Sequence, residues 1–551
     1  MRSGDGVAKY AIAQANEKST GQYALDNSGQ NGRTANMIRT IRYTLLTITL
    51  VLGTGCASID FDYPRSESVA YSDTEDTFLG RQLADDVARQ PADHSGFYSL
   101  ADGIDSLAIR LLLAQRAERS IDLQYYLIKD GITGRALIGT LLQAADRGVR
   151  VRLLVDDMFT SGYDARIAAL DSHPNFEIRI FNPFNRGFAG RARSGITGFS
   201  RINRRMHNKS FTVDNQVTVV GGRNIADEYF GARQDAKFSD LDVIGVGPVV
   251  QDVSTMFDTY WNHETAIPVP AFIDMPEDVS AELERVRREL SSFHDEVEAS
   301  PYADALRRQV LKFDASTSGA LEWAPYELVY DSPDKGIKRR SETAQSIMMP
   351  LVESIRSAEK ELIVISPYLV PRKTGVEGFK RLRDRDVDVT VVTNSLAANN
   401  QFTVHGGYAP SRKPMLKEGV RIYEARPDAE VVGAELIAAD GATATLHTKT
   451  YIVDDRVLFI GSFNFDPRSA YINTESGVII RSPTMARRLS DAIDASLEKY
   501  TYQVFLNDDG KLRWREVQEG EDIIWKHEPK TTWFQRFIAG FMRFMPIRGQ
   551  L

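Results

Sequence analysis

The sequence predicts an α/β protein built from two tandem, pseudo-symmetric lobes, and three observations carry that prediction. Residues 108–157 and 346–395 repeat one pattern. Each copy alternates helical and strand-like stretches, which argues for layered α/β units. The same polar motif closes each lobe, once around residue 207 and again around residue 447.

The first copy contains AIRLLLAQRAERSIDLQYYLIKD, then LLQAADRGVRVRLLVDD; the second contains SIMMPLVESIRSAEKELIVISPYLVP, then FKRLRDRDVDVTVVTNS. Both read as an amphipathic helix, an apolar strand, a loop, a second helix and another apolar strand. Ala117-Glu118-Arg119 and Ala358-Glu359-Lys360 hold the same place after the first helix. Unbroken apolar runs such as VRLLVDD and VTVVTNS are what a sheet covered on both faces requires.

These landmarks divide the 551 residues into six segments. Residues 1–36 are polar and form an unstructured upstream extension. Residues 37–56 have signal-peptide architecture: Arg39 and Arg42, an apolar run from Leu45 to Leu52, then Gly53-Thr54-Gly55 before Cys56, with too few apolar residues to span a bilayer comfortably. The first lobe covers 57–269. A helical inter-lobe segment, 270–340, includes PEDVSAELERVRRELSSFHDEVE, opened by Pro276; His294 on it has no assigned role. The second lobe covers 341–500, and a tail covers 501–551. In the tail Trp533, Phe537, Phe541 and Phe544 recur at helical spacing, with Arg536 and Arg543 on the other face and Pro546 ending the run. Such a basic amphipathic helix either lies in a membrane interface or caps the core of the second lobe.

Composition bounds the chemistry. Hydrophobic residues at 42% and charged residues at 26% are globular values. The net charge of −8 provides no global attraction to nucleic acid, so a nucleic-acid partner is not expected. Cys56 is the sole cysteine, which rules out an internal disulfide and a cysteine-based metal cage.

The closing motif is HxKxxxxDxxxxxxG[GS]xN. It reads His207, Lys209, Asp214, Gly221, Gly222 and Asn224 in the first lobe, and His447, Lys449, Asp454, Gly461, Ser462 and Asn464 in the second. Histidine and lysine two apart on a strand project from one side. One can attack or protonate while the other neutralises phosphate oxygens. Asparagine in the following turn can reach the same phosphate. Asp214 and Asp454 are expected to hold local structure rather than touch substrate. A lone HxK is usually a packed histidine; two full motifs at matching places in a repeat are not explained that way.

These residues resemble the paired HKD motifs of the phospholipase D superfamily. FNPFNRGF, SRINRRMHNKSFTVD, VVGGRNIADEYFGA, FSDLDVIGVGPVV, TNSLAANN and IGSFNFDPRSAYINTE are similar to its bacterial cardiolipin synthase C-type branch, over residues from about 75 to 530. The resemblance implies lobes with helix-covered mixed sheets and a single active site at their interface. It implies His207 as nucleophile and His447 as acid and base, an assignment the motifs alone do not distinguish. Lys209, Lys449, Asn224 and Asn464 would bind nonbridging phosphate oxygens. An acidic residue behind each histidine would fix its tautomer: Glu475 in NTESG, and Asp240 in preference to Asp242. Gly222 stands where the family usually has serine, kept as Ser462 in the other lobe. Arg201, Arg204 and Arg205 either draw anionic head groups to the site or form a solvated basic loop, with Arg205 joining Asn224, Asn464, Gly222 and Ser462 in the expected substrate-binding set. His405 has no assigned role.

The implied reaction joins phosphatidylglycerol and a second phospholipid, phosphatidylethanolamine in the C-type branch, into cardiolipin. It requires no metal and no cofactor. Cys56 resembles a lipoprotein acylation site, although Gly53 occupies the usual leucine position; the other reading is a signal anchor. Either places the protein in a bacterial envelope, at a membrane surface. A hydrolase or nuclease of the same superfamily and a silent lipid-binding scaffold are the competing readings.

Overall fold

In a computed structural model the protein is described for residues 59–160, 162–186, 199–233, 236–298, 300–316, 320–337, 345–399, 401–428 and 443–542. The expected extension, the signal segment, Cys56 and the end of the tail lie outside these residues, as does the side chain of His294.

The first lobe contains strands β1 (His94–Leu100), β2 (Ser120–Tyr125), β3 (Arg150–Asp156), β4 (Phe176–Phe181), β5 (Ser210–Val213), β6 (Val217–Gly221), β7 (Ala236–Ser239), β8 (Asp242–Val246) and β9 (Ala266–Pro268). Its helices are α1 (Phe78–Ala88), α2 (Gly103–Arg116), α3 (Ile132–Asp146), α4 (Asp164–Asp171) and α5 (Pro248–Trp261). Helices α6 (Val279–Glu298) and α7 (Pro301–Ser316) follow. The second lobe has β10 (Glu322–Tyr330), β11 (Glu361–Ile365), β12 (Asp388–Asn394), β13 (Arg421–Ala425), β14 (Thr443–Leu446), β15 (Thr450–Val453), β16 (Val457–Gly461), β17 (Ser476–Ile480), β18 (Thr501–Leu506), β19 (Leu512–Gln518) and β20 (Glu521–Trp525). Its helices are α8 (Met348–Arg356), α9 (Arg372–Arg383), α10 (Phe402–Tyr408), α11 (Pro483–Tyr500) and α12 (Trp533–Met542).

The two sheets have the same order and directions. The first runs β1-β8-β6-β5-β2-β3-β4-β9. The second runs β10-β17-β16-β15-β11-β12-β13-β18. In each, only the strands of the repeated helix–strand units pair in parallel (β2-β3-β4 and β11-β12-β13), as crossover helices demand. The interiors of β2 and β3 are buried along nearly their whole length, in keeping with their unbroken apolar runs.

One strand belongs to both sheets. The first half of β10 pairs with β1 (His94↔Pro325) and its second half with β17 (Tyr326↔Ile480). The expected inter-lobe segment 270–340 therefore has its long helices only as far as Ser316, and it includes β10, the first strand of the second lobe. That lobe likewise continues past 500 through β18, with β19 and β20 added at its edge.

Three apolar cores result. One lies inside the first lobe and another inside the second. The third is shared: α5 contributes Phe257, Tyr260 and Trp261, α11 contributes Ile493 and Leu497, and both sheets supply side chains such as Val243, Val220, Ile460 and Val478. Burying this common apolar surface presses the sheets together and fixes the lobes against each other.

Candidate active site

Each motif occupies a hairpin, β5–β6 or β15–β16, with β5 and β15 central in their sheets. The two residues at each tip have positive φ: 49° and 51° at Asp214 and Asn215, 52° and 53° at Asp454 and Asp455. Asn and Asp tolerate this backbone, which tight hairpin turns require. The carboxylate of Asp214 accepts the backbone N–H groups of Glu118, Arg119 and Ser120 at 3.0, 2.8 and 2.9 Å. Asp454 accepts those of Glu359, Lys360 and Glu361 at 2.9, 2.7 and 2.8 Å. The motif aspartates thus pin the repeat's helix-to-strand turn, far along the hairpin from the histidines.

At the other end of the hairpins the lobes interlock through backbone. The N–H of His207 donates to the carbonyl of Thr474 at 2.9 Å, and that of His447 donates to Ser239 at 2.7 Å. Parallel pairing carries the second contact, β7 against β14, and a bridge between Met206 and Thr474 carries the first. The residues after those carbonyls are Glu475 and Asp240. Each acid is thereby delivered to the histidine of the opposite lobe. His207 Nδ1 lies 2.8 Å from Glu475 Oε2, and His447 Nδ1 lies 2.6 Å from Asp240 Oδ2. Asp242 faces away, held by Arg110 and Ser106.

With Nδ1–H given to a carboxylate, Nε2 is the nitrogen that each ring has for chemistry. Phe238 stacks on His447 with ring centroids 5.5 Å apart, and Tyr229 meets the same ring edge-on at 4.9 Å. The Tyr229 hydroxyl is 3.3 Å from His447 Nε2 and accepts from Asn224 Nδ2 at 2.9 Å. Around His207, Tyr126 makes the edge contact at 5.1 Å.

Both lysines are buried beside their histidines. Lys209 Nζ donates to the His207 carbonyl at 2.5 Å, and Lys449 Nζ lies 2.8 Å from His447 Nδ1. Burial pulls Lys209 down to about 7, with repulsion from Lys449 adding to it, and pulls Lys449 down to about 8, in both cases against the attraction of the acids. Burial likewise lowers His207 to about 4 and His447 to about 3, with the adjacent lysines adding to the effect and Glu475 and Asp240 opposing it. A phosphodiester anion between the lobes would work against all four depressions, because it favours the protonated forms.

The expected substrate-binding set divides. Asn224 and Asn464 are buried, each with its Oδ1 unpaired by protein. Ser462 does not point at the substrate space; its hydroxyl donates to Glu475 at 2.6 Å, joined by Ser469 at 2.8 Å. At Gly222 a Cβ would collide with the Asp240 carboxylate, so glycine is what lets that acid approach. Arg205 corrects the expectation of a head-group contact. It is fully buried, bonded to Asp156 at 3.1 Å and to the Asn182 carbonyl at 3.1 Å, and it braces the segment before His207. Arg201 and Arg204 are also spent on backbone carbonyls, those of Pro183 and Lys335. A run of arginines looked like a solvated or lipid-facing loop, but the chain's own carbonyls take its charge.

Sequence reasoning missed Tyr126, Tyr229 and Phe238, aromatic residues outside the motif. The signal for Tyr229 was at hand, in the IADEYF stretch after Asn224.

The family described as cardiolipin synthase, PLD-like domain, matches residues 111–261 and 351–497. The chain is 40% identical over 470 residues to cardiolipin synthase C of Escherichia coli (strain K12), covering 83% of this chain and 96% of that protein. It is 30% identical over 512 residues to an uncharacterized protein of Helicobacter pylori (strain ATCC 700392 / 26695), covering 92% and 99%. The crystal structure of phosphatidylserine synthase from Haemophilus influenzae Rd KW20 shares the fold, with a TM-score of 0.53 at 11% identity over 84% of this chain and 96% of that one. Two matched domains, each ending in an intact motif, and a relative matched almost from end to end lead to one conclusion: the chain belongs to the phospholipase D-like cardiolipin synthase family.

Proposed function

We propose that this protein is a phosphatidyl transferase that forms cardiolipin from phosphatidylglycerol and a second phospholipid, phosphatidylethanolamine by its likeness to the C-type branch. The observation that carries the reading is the pair of motif histidines, each held by the other lobe's acid, in a chain matching 96% of a cardiolipin synthase C. His207 Nε2 attacks phosphorus, and the phosphorus–oxygen bond to the leaving alcohol breaks. His447, whose protonated form the bound phosphodiester anion favours, gives that alcohol its proton, leaving a phosphatidyl group on His207. The glycerol hydroxyl of phosphatidylglycerol then loses its proton to His447 and displaces His207 from phosphorus. The Tyr229 hydroxyl beside His447 Nε2 suits this division of labour, since a hydroxyl can accept from the N–H of the protonated ring and donate to the neutral one. Lys209 and Lys449 neutralise the nonbridging oxygens, and the two asparagines bind them by hydrogen bonds.

The reading also puts the protein at a bacterial membrane surface. Among the described residues no helix is long and apolar enough to cross a membrane. In α12, however, Trp533, Phe534, Phe537 and Phe541 are each more than half exposed, while Ala539 is buried on the face toward α10. Lys413, Lys511, Arg513, Lys526 and Arg536 gather beside it. Aromatic side chains next to cations suit the interface of an anionic bilayer. Acylation at Cys56, a residue outside those described, would add a second attachment.

Mass spectrometry of lipids after incubation with phosphatidylglycerol, with and without phosphatidylethanolamine, tests the proposal. Cardiolipin is expected with the protein and absent with His207→Ala. Phosphatidic acid without cardiolipin would make the enzyme a hydrolase, and no turnover would sink the lipid reading.

A further inference from the structure

We propose that Asp331 and Lys335, a buried ion pair just beyond β10, are positioning residues that set Glu475 against His207. This rests on the phosphatidyl-transfer reading and deepens it, by adding a layer behind the acid. Both side chains are buried, and the Lys335 ammonium lies 2.7 Å from Asp331 Oδ2. They stand four residues apart across the single turn Pro333–Gly336, which Ser332 caps by accepting the Asp334 N–H at 3.3 Å.

Asp331 holds the peptide of Glu475 from both ends. Its backbone N–H donates to the Glu475 carbonyl at 3.0 Å, one step past the β10–β17 register (Tyr330↔Ser476), and its Oδ2 accepts the Glu475 N–H at 3.0 Å. The other carboxylate oxygen accepts the N–H of Ile347 at 3.2 Å. Lys335 takes hold of the acid's side-chain partner. Its Nζ donates to the Ser469 carbonyl at 2.8 Å, and the Ser469 hydroxyl is one of the two that donate to Glu475. The pair is itself tied to the lobe that bears His207. Tyr260 of α5 donates its hydroxyl to the Asp331 carbonyl at 2.6 Å, and Arg204, three residues before His207, donates to the Lys335 carbonyl at 3.0 Å. Burial pushes the Asp331 carboxyl up and Lys335 opposes this, so losing the ammonium would favour a proton on the oxygens that accept these N–H groups.

The first lobe makes clear that the fold does not demand such a pair. There the β1–β8 register, continued two residues beyond Leu100↔Asp242, puts Asp102 opposite Asp240. Asp102 instead turns its carboxylate to the N–H of Asp105 at 3.0 Å and caps α2. Behind Asp240 the buried cation is Arg223, which donates to the carbonyls of Leu100, Ala101 and Asp240. Among the described residues, a carboxylate–ammonium clamp on the acid's own peptide stands behind His207 and not behind His447. A buried ion pair is a weak source of stability in itself. Its value here lies in aim: the ring that attacks phosphorus must keep one orientation while a phosphatidyl group forms on it and leaves, and small misplacements of a reacting atom are costly.

Asp331→Ala with Lys335→Met removes the clamp without leaving an unpaired buried charge. Asp331→Asn with Lys335→Met returns an acceptor for the Glu475 N–H. The full chain is assayed for cardiolipin formation from phosphatidylglycerol, with Ser482→Ala, which loses the cap of α11, as a destabilised control. The alanine double variant is expected to lower kcat about 100-fold while KM stays within about twofold. The asparagine double variant should recover about tenfold of that loss, and Ser482→Ala should change neither constant. In parallel, proton NMR follows the two downfield Nδ1 protons of the histidines, assigned with His207→Ala and His447→Ala. The alanine double variant should move the His207 line upfield and leave the His447 line in place. An unmoved His207 line, equal movement of both lines, or a loss of kcat no greater than that of Ser482→Ala would overturn the proposal and leave the pair a structural staple. If the alanine double variant does not fold, the asparagine one carries the same two readings, with kcat about tenfold below wild type. A wild type that turns over no lipid would instead remove the transferase reading, and the His207 line would still decide whether the pair sets Glu475.

Discussion

The two half-sites share one frame and are furnished differently. In the second lobe the acid is a glutamate, and Ser462 and Ser469 both donate to it, so Glu475 reaches His207 as a fully bonded carboxylate. Burial pushes Glu475 up, yet His207, Lys209 and Ser462 together hold it below the usual carboxylate range. In the first lobe the acid is one methylene shorter, glycine replaces the serine, and the second oxygen of Asp240 takes only the N–H of Leu241. Among the described residues His447 has Tyr229 and Phe238 packed against it, whereas His207 has Tyr126 alone among its ring contacts. Duplication supplied a two-fold scaffold; the chemistry needs a nucleophile on one side and a proton carrier on the other. The differences fall where those tasks diverge.

The sharpest way to break this comparison is to remove one histidine at a time. Alanine at either His207 or His447 is expected to cut phosphatidyl transfer by about 1,000-fold or more. An aryl phosphodiester, whose leaving group needs no proton, should separate the roles. With it His447→Ala still releases one burst of phenol and traps a phosphoryl-enzyme, while His207→Ala does neither. The opposite pattern would exchange the assignments.

Next in size are the acids. Glu475→Gln and Asp240→Asn should each lower kcat by about 100-fold or more, because the amide no longer fixes the ring's tautomer. Glu475→Gln is expected to be the worse of the two, since it also disturbs Ser462 and Ser469. Equal losses measured in steady-state kinetics would mean that the hydroxyls contribute nothing.

Exchanging the neighbouring small residues gives a smaller effect. Gly222→Ser forces a side chain onto the Asp240 carboxylate and should cost about 1–3 kcal/mol of stability. Ser462→Gly removes a hydrogen bond to a charged group, worth about 1.5–3 kcal/mol, without a clash. Chemical denaturation of the two variants would show whether the lobes tolerate each other's residue.

The mildest test is pH. Below about 7 both lysines are charged; as pH rises from about 7 to about 8, first Lys209 and then Lys449 lose their protons. Accordingly kcat/KM should fall on that alkaline limb, and inorganic phosphate should stabilise the protein less at pH 9 than at pH 6.5, because binding must then take up protons. On the acid side kcat/KM should fall through about 4, where His207 becomes protonated and loses its nucleophilic lone pair. Lys209→Met should remove the earlier part of the alkaline limb and leave the later part.

How legible this site was depended on how local each part is. The spacing of His207, Lys209 and Asp214, repeated 240 positions later, was readable because one hairpin holds all three. The crossing of the acids was not, since it depends on the β7–β14 pairing between segments some 200 residues apart. β10 escaped notice because Pro325 interrupts EWAPYELVY, and proline usually argues against a central strand. In the fold that proline is the last residue paired with β1, opposite His94, and the next residue, Tyr326, opens the pairing with β17. Arg205 was misread for a different reason: charge in a sequence looks solvated unless its buried partner, here Asp156, is known.

Strand β10 has a mechanical consequence. A single nine-residue strand laced into both sheets is a spine, not a hinge, and swinging the lobes apart would tear its ladder on one side. Moving the lobes about this strand therefore costs ladder hydrogen bonds.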